Sequence, residues 1–302
     1  MTRPAAAGAK ASTDRSPSGG TLYLVATPIG NLGDVTLRAL EVLRTVPLVA
    51  CEDTRITSRL LARHAIDARL TSFHARSGPA RLAALLAHLR DGADLALTTD
   101  AGTPGVSDPG EELVRAWAAE GGRVVPVPGA SAVLAAVMAS GIAGPRWTFE
   151  GFLPRSGRER HDRLARLAAD ERGAVLYEAP ARLLATLRDL AAACGSDRPA
   201  AVCRELTKLH EQVVRGSLGA LAAAVADGAI PTRGEVAVVV GAIAGRATGI
   251  PPATGAAAVD VEAAVAEIEA LVAAGRARSA AVREVAARSG LPRRRLYRVP
   301  HD

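Results

Sequence analysis

At 302 residues, with 49% hydrophobic and 23% charged residues, the chain is long enough to bury two or three globular cores and is not disordered in general. Aromatic residues make up only 3%, which argues against a broad base-stacking platform. The net charge of +6 is unevenly spread: residues 276–298 hold eight arginines against the single acid Glu284, a net of +7, and the remainder is close to neutral. A local basic patch of this kind points to a polyanionic partner.

The first twenty residues are rich in Ala, Ser, Gly and Pro and lack the apolar centre of a signal peptide, so 1–20 is expected to be a disordered tail. Apolar runs at 22–26, 48–51, 95–99 and 124–127 then read as strands. They alternate with helical patterns at 37–44, 58–63, 80–89 and 111–120. That alternation predicts a largely parallel sheet covered on both faces. Residues 124–145 carry no charge, but Pro126, Pro128 and several glycines break the run, so a strand, a turn and a buried helix at 132–139 are expected rather than a membrane span.

Each of the four strands ends in a chemically marked turn: TPIGNLGD, CEDTR, DAGTPGVSDPG and PGAS. Four such turns along one sheet edge predict a pocket, because open α/β sheets bind ligands at the carboxyl ends of their strands. The third turn, 100–110, is the most informative. It has three glycines, two prolines and two aspartates but no lysine or arginine, so it suits hydroxyls or a positive centre rather than a triphosphate. Gly30 and Gly33 lack dinucleotide-binding spacing, and Asp34 reads as an N-cap. Asp53 reads as a helix cap too, while Ser131 is expected to cap helix 132–139 and leave its N-terminus facing the cleft.

Beyond residue 144 the strand candidates are 147–152, 174–177, 200–203, 212–214 and 236–240, the mark of an α+β unit with antiparallel pairing. Pro180 sits where a first-turn proline belongs, ahead of the amphipathic run 181–192. Segment 204–211, RELTKLHE, concentrates six polar or ionisable side chains. Its Lys208 is the only lysine after Lys10, in a chain that otherwise uses arginine. Lysine, unlike arginine, has a pKa that can fall far enough for proton transfer. A Gly/Pro/Ala-rich linker at 245–258 leads to a helix at 259–274 and then a helix–turn–helix pattern at 279–298. Cys51, Cys194 and Cys203 form neither a disulfide framework nor a metal set, so a cytoplasmic setting and no metal are expected.

The stretches LYLVATPIGNLGDVTLRALEVL, CEDTR, DAGTPGVSDPG, VPGASA, FEGFLP, YEAP, CRELTKLHE and GEVAVVV occur in order from Leu22 to Val240. Together they closely resemble the 16S rRNA (cytidine(1402)-2′-O)-methyltransferase family, a branch of the tetrapyrrole-methylase-like S-adenosylmethionine enzymes. The C-terminal VREVAARSGLPRRRLYR is similar to the small helical tail of the same family.

The resemblance implies a two-domain, non-Rossmann α/β methyltransferase with a small C-terminal helical module. Its parts would be 21–143, 144–244 and 259–302. It implies S-adenosylmethionine as methyl donor, held by Pro28, Gly30, Asp100, Gly102, Thr103, Ser131, Ala132 and Tyr177. The acceptor would be a cytidine ribose 2′-hydroxyl of 16S rRNA in the 30S subunit, and the assembly a homodimer without a membrane. Lys208 and Glu205 are candidates for moving the departing proton or orienting the ribose. Arg276, Arg278, Arg283, Arg288, Arg293, Arg294 and Arg295 are candidates for gripping RNA phosphates. A tetrapyrrole or protein methylase would keep the donor loops without needing a basic tail. A DNA-binding regulator would leave the first 240 residues unexplained.

Overall fold

A computed structural model describes residues 19–243 and 261–289. The first sheet consists of β1 (Thr21–Val25), β2 (Leu48–Cys51), β3 (Leu70–Ser72), β4 (Leu95–Leu97) and β5 (Arg123–Val127), in the order β3-β2-β4-β1-β5. All its pairings are parallel. Consecutive residues face opposite sides. Val25, Val49 and Ala96 pack with helices α1 (Leu37–Thr45) and α2 (Thr54–Arg63), whereas Leu22, Ala50, Leu95 and Leu97 pack with α3 (Pro79–Arg90) and α4 (Glu111–Ala119). A sheet buried on both faces needs apolar residues at every position, which is why these strands read as continuous apolar runs. Pro126 is tolerated because β5 is an edge strand.

The fully covered parallel sheet expected for the first half is the one observed. Strand β3 was not legible: LTS is too short to show a pattern, and its side chains are only half-buried. Asp34 is not the cap of α1. It lies in a 3-10 turn, Leu32–Asp34, capped by Asn31, and the Thr36 side chain accepts the Ala39 N–H at the start of α1. Asp53 caps α2, as its position implied.

After β5, helix α5 (Ala132–Ser140) leads to the second sheet, in the order β6-β7-β10-β8-β9. Its strands are β6 (Trp147–Phe152), β7 (Gly173–Glu178), β8 (Pro199–Arg204), β9 (Gln212–Ser217) and β10 (Val236–Val240). β6 and β7 are parallel, and the other neighbours are antiparallel. Again the strand period separates two cores. Val236, Val238 and Val240 join α6 (Gly157–Ala169), α7 (Leu183–Cys194) and α8 (Leu218–Ala226) on one face. Ala237 and Val239 meet α5 on the other, with Ile29 and Val106 from loops of the first sheet. Pro180 opens a short 3-10 turn, Pro180–Arg182, and α7 begins only at Leu183.

Residues 261–289 form a separate pair of helices, α9 (Val261–Ala273) and α10 (Arg278–Ser289), closed by Ala264, Ile268, Ala281, Val282 and Val285. No helix among the described residues is long and apolar enough to cross a membrane. The charge-free 124–145 segment is the strand, turn and helix that its prolines imply.

Candidate active site

Because β1, β2, β4 and β5 are parallel, their carboxyl ends share one edge, and the loops there are tied to one another. Thr27 and Gly102 exchange backbone hydrogen bonds of 2.8 and 3.0 Å. The Thr27 hydroxyl donates to the Thr99 carbonyl (3.0 Å), and the Thr103 hydroxyl to that of Ala130 (3.3 Å). The Asp53 N–H donates to Asp100 Oδ1 at 2.9 Å. These bonds tie the loop backbones of this edge to one another and make a rigid rim from irregular backbone.

Between this rim and the inner face of the second sheet lies a cavity of about 420 Å³. Gly102, Thr103, Ser131, Ala132 and Tyr177 all line it, as do Ile29, Phe152, Leu206 and Ala237. Ser131 occupies the N-cap position of α5, but its side chain makes no capping bond; the Tyr177 hydroxyl meets the Val133 N–H in the first turn instead. Pro28 and Asp100 instead border a smaller cavity of about 200 Å³ with Thr57 and Arg59. Residues 27–28 and 99–100 thus face one side of the Thr27–Gly102 bridge, while Ile29 and Ala101–Gly102 face the other.

Among the described residues no lysine or arginine lines the larger cavity, whereas Asp108, Glu178 and Glu235 do. Asp108 accepts no hydrogen bond and makes no ion pair among the described residues. Burial, reinforced by Glu52 and Asp100 nearby, pushes its carboxyl up to about 6. Burial and then Asp108 raise the Tyr177 hydroxyl to about 12, and its ring meets Phe149 and Phe152 at 5.0 and 5.6 Å. Glu178 is held differently. Its carboxylate accepts from the Ala179 N–H (2.7 Å) and the Thr186 hydroxyl (2.6 Å), and pairs with Arg182 (3.1 Å). Arg160 donates in turn to Thr186 and pairs with Asp189, which locks the YEAP turn from behind.

Segment 204–211 forms a tight loop on which Glu205 and Thr207 take left-handed backbone, at φ of 52° and 67°. Such conformations cost non-glycine residues about 1 kcal/mol or more and persist where surroundings fix them. Here Glu205 Oε1 accepts from the Glu235 N–H (2.8 Å) and from Lys208 Nζ (2.9 Å), and Lys208 also pairs with Glu235 at 3.0 Å. Gly234, at φ 80°, must lack a side chain, since a Cβ there would lie 2.5 Å from the Glu205 carboxyl carbon. Burial works to lower the Lys208 ammonium, but the hydrogen bonds to Glu205 and Glu235 outweigh it and hold the group above the usual lysine range. The lowered pKa that proton transfer by Lys208 would require is not what this geometry produces. The arm of Lys208 crosses Gly30, where a Cβ would stand 2.3 Å from Lys208 Cγ.

Asp108 and Glu235 carry no individual signal in the sequence, although they lie in the motifs DAGTPGVSDPG and GEVAVVV. In α9–α10, Arg276 pairs with Glu284 and Arg278 with Glu269, and Arg283 is exposed. Arg288 ends in a segment whose side chains are not described, and Arg293, Arg294 and Arg295 lie outside the described residues, as does the second helix of the expected helix–turn–helix.

The family model for Tetrapyrrole (Corrin/Porphyrin) Methylases matches residues 21–222. The chain belongs to that family. The ribosomal RNA small subunit methyltransferase I of a Synechocystis species is 46% identical over 93% of this chain and 97% of its own length. Its counterpart in Escherichia coli O157:H7 is 44% identical over 74% of this chain and 78% of its own. Among solved structures, a cobalt precorrin-4 methyltransferase aligns with a TM-score of 0.57 at 19% identity, covering 73% of this chain and 94% of that one. A uroporphyrin-III C-methyltransferase from Thermus thermophilus, complexed with S-adenosyl homocysteine, aligns with 0.53 at 21% identity over 74% and 97%.

The protein is a methyltransferase, and its methyl donor is S-adenosylmethionine. The larger cavity fits that donor. It has the size of a small-ligand site and apolar walls. Its ionisable lining suits a cationic sulfonium and would repel a phosphate.

Proposed function

We propose that this enzyme methylates the ribose 2′-hydroxyl of cytidine 1402 in 16S rRNA of the small ribosomal subunit, acting in the cytoplasm as a homodimer. The observation that carries the reading is a phosphate-averse donor cavity in a chain nearly half identical, over almost its whole length, to a ribosomal RNA small subunit methyltransferase I.

The donor, when bound, supplies an electrophilic methyl group; the chain's task is to place the ribose oxygen in line with it and exclude water. We assign Gly102, Thr103, Ser131, Ala132 and Tyr177 to the donor's walls. Pro28, Gly30 and Asp100 support those walls through the loop rim and the Lys208 arm. Lys208, charged between Glu205 and Glu235, acts as a fixed cation toward the ribose or a neighbouring phosphate rather than as a base. The arginines of α10 and beyond grip RNA backbone and contribute affinity more than sequence choice.

Labelled donor, offered to the enzyme with separated 30S subunits, naked 16S rRNA and tetrapyrrole precursors, tests the reading. Label on the ribose of a single cytidine is the expected result, and label on a tetrapyrrole alone would overturn it. Two copies per particle are expected by light scattering. Replacing Arg283 and Arg288 by alanine in the full chain should lower the slope of log affinity against log salt by about one for each phosphate that is no longer neutralised. An unchanged slope would remove these two from the RNA interface.

A further inference from the structure

A ribose hydroxyl is a weak nucleophile that must shed its proton as it is methylated. Among the described residues, five ionisable side chains line the donor cavity: Asp108, Tyr177, Glu178, Cys203 and Glu235. Four of them are unsuited to receive that proton. Glu178 is saturated by Ala179, Thr186 and Arg182. Glu235 is committed to Lys208. Tyr177 keeps its own proton in the neutral range, and so does the Cys203 thiol, which burial pushes up to about 11.

We propose that Asp108 is the catalytic base, the lining carboxylate that no described side chain or backbone N–H engages and that is therefore free to take the ribose proton. The assignment rests on the ribose acceptor proposed above. As the bond from the ribose oxygen to the methyl carbon forms and the donor's carbon–sulfur bond breaks, the hydroxyl proton passes to the Asp108 carboxylate and then to water.

The neighbourhood suits that task. Glu52 at the end of β2 and Asp100 after β4 face Asp108 with like charge, and Tyr177 faces it from β7. Arg55 lies toward Asp100, and His74 toward Glu52. Such a carboxylate is mostly ionised at pH 7 yet basic enough to compete for a proton. That is the compromise general-base catalysis favours, typically contributing about 10²–10⁴-fold.

Single-turnover methylation of 30S subunits at saturating donor, from pH 5 to 8, provides the test with wild type, Asp108→Asn and Asp108→Glu. Calorimetry with S-adenosylhomocysteine reports separately on donor-site integrity, and the Asp108 carboxyl carbon resonance reports on its ionisation. We expect Asp108→Asn to bind S-adenosylhomocysteine within about twofold of wild type, yet to transfer at least about a hundredfold more slowly. Asp108→Glu should recover part of the rate. The wild-type rate should climb with pH to a plateau just above the NMR midpoint, and the asparagine variant should lack that limb.

A rate for Asp108→Asn within threefold of wild type would overturn the proposal. So would weakened S-adenosylhomocysteine binding with a normal rate once donor saturates, because Asp108 would then be a donor anchor. Wild-type enzyme that labels no RNA would overturn the ribose reading and this assignment together, whereas label insensitive to Asp108→Asn would overturn the assignment alone.

Discussion

Two carboxylates on opposite walls of the same cavity have been treated in opposite ways. Glu178, on the second sheet, has a fully buried side chain and every hydrogen-bonding demand met, so its charge is spent on holding the YEAP turn. Asp108, in the loop after β4, is only partly buried and has no partner among the described residues. Burial depth alone would rank Glu178 as the more unusual group. Pairing reverses the ranking, because a satisfied carboxylate is structure and an unsatisfied one is poised to meet a ligand or a proton.

The largest effect should come from removing the satisfied partner. Glu178→Ala takes the carboxylate away from the Arg182 guanidinium, the Thr186 hydroxyl and the Ala179 N–H, leaving Arg182 only the Leu153 carbonyl and Thr186 only Arg160, and breaking one side of a buried pair costs up to about 3–5 kcal/mol. Urea unfolding should register that loss. A loss below about 1 kcal/mol would mean the network is solvated and the contrast with Asp108 is false.

Asp108→Asn should act in the opposite direction and by less. The folded pKa of about 6 lies above the ordinary 3.8, so the native state holds its proton more tightly than the unfolded chain. The contribution of this group to stability is therefore most favourable below pH 4 and declines as pH rises from about 4 to 6, by at most about 3 kcal/mol. Asparagine removes that penalty. The variant should melt higher than wild type at pH 8, with the advantage gone by pH 4. A lower melting temperature at pH 8 would indicate that an unpaired carboxylate is not what wild type carries there.

The two walls also differ in how far the sequence discloses them. The first sheet was readable because a parallel, doubly covered sheet demands unbroken apolar strands, and its chemistry is concentrated in four strand-end turns. Gly102, Thr103, Ser131 and Ala132 line the cavity because consecutive residues of such turns have few places to go. That Pro28 and Asp100 face a second cavity could not be read, since it depends on which side of the Thr27–Gly102 bridge each residue falls. Pairing was equally hidden. Glu178 meets Thr186 from the next helix, and Lys208 meets Glu235 from the loop before β10, so neither spacing nor composition reveals that the first is closed and the second held charged.

Glu205 and Glu235 stand between the two extremes, and the smallest expected effect tests that intermediate case. Lys208 satisfies both carboxylates, but its side chain is 26% exposed and Glu235 is 71% exposed, so the pairs should contribute no more than about 1 kcal/mol. Lys208→Met should change stability within that limit, leave S-adenosylhomocysteine binding intact and weaken RNA binding or its methylation. Gly30→Ala approaches the same arm from the other side. Its new methyl would fall within 2.3 Å of Lys208 Cγ, and the flexible lysine would yield before the loop does. If the bare Cα of Gly30 exists to seat Lys208, the double variant should be no worse than Lys208→Met alone, since the second change has nothing left to displace. Additive losses in single-turnover methylation would instead give Gly30 a role at the rim independent of the lysine.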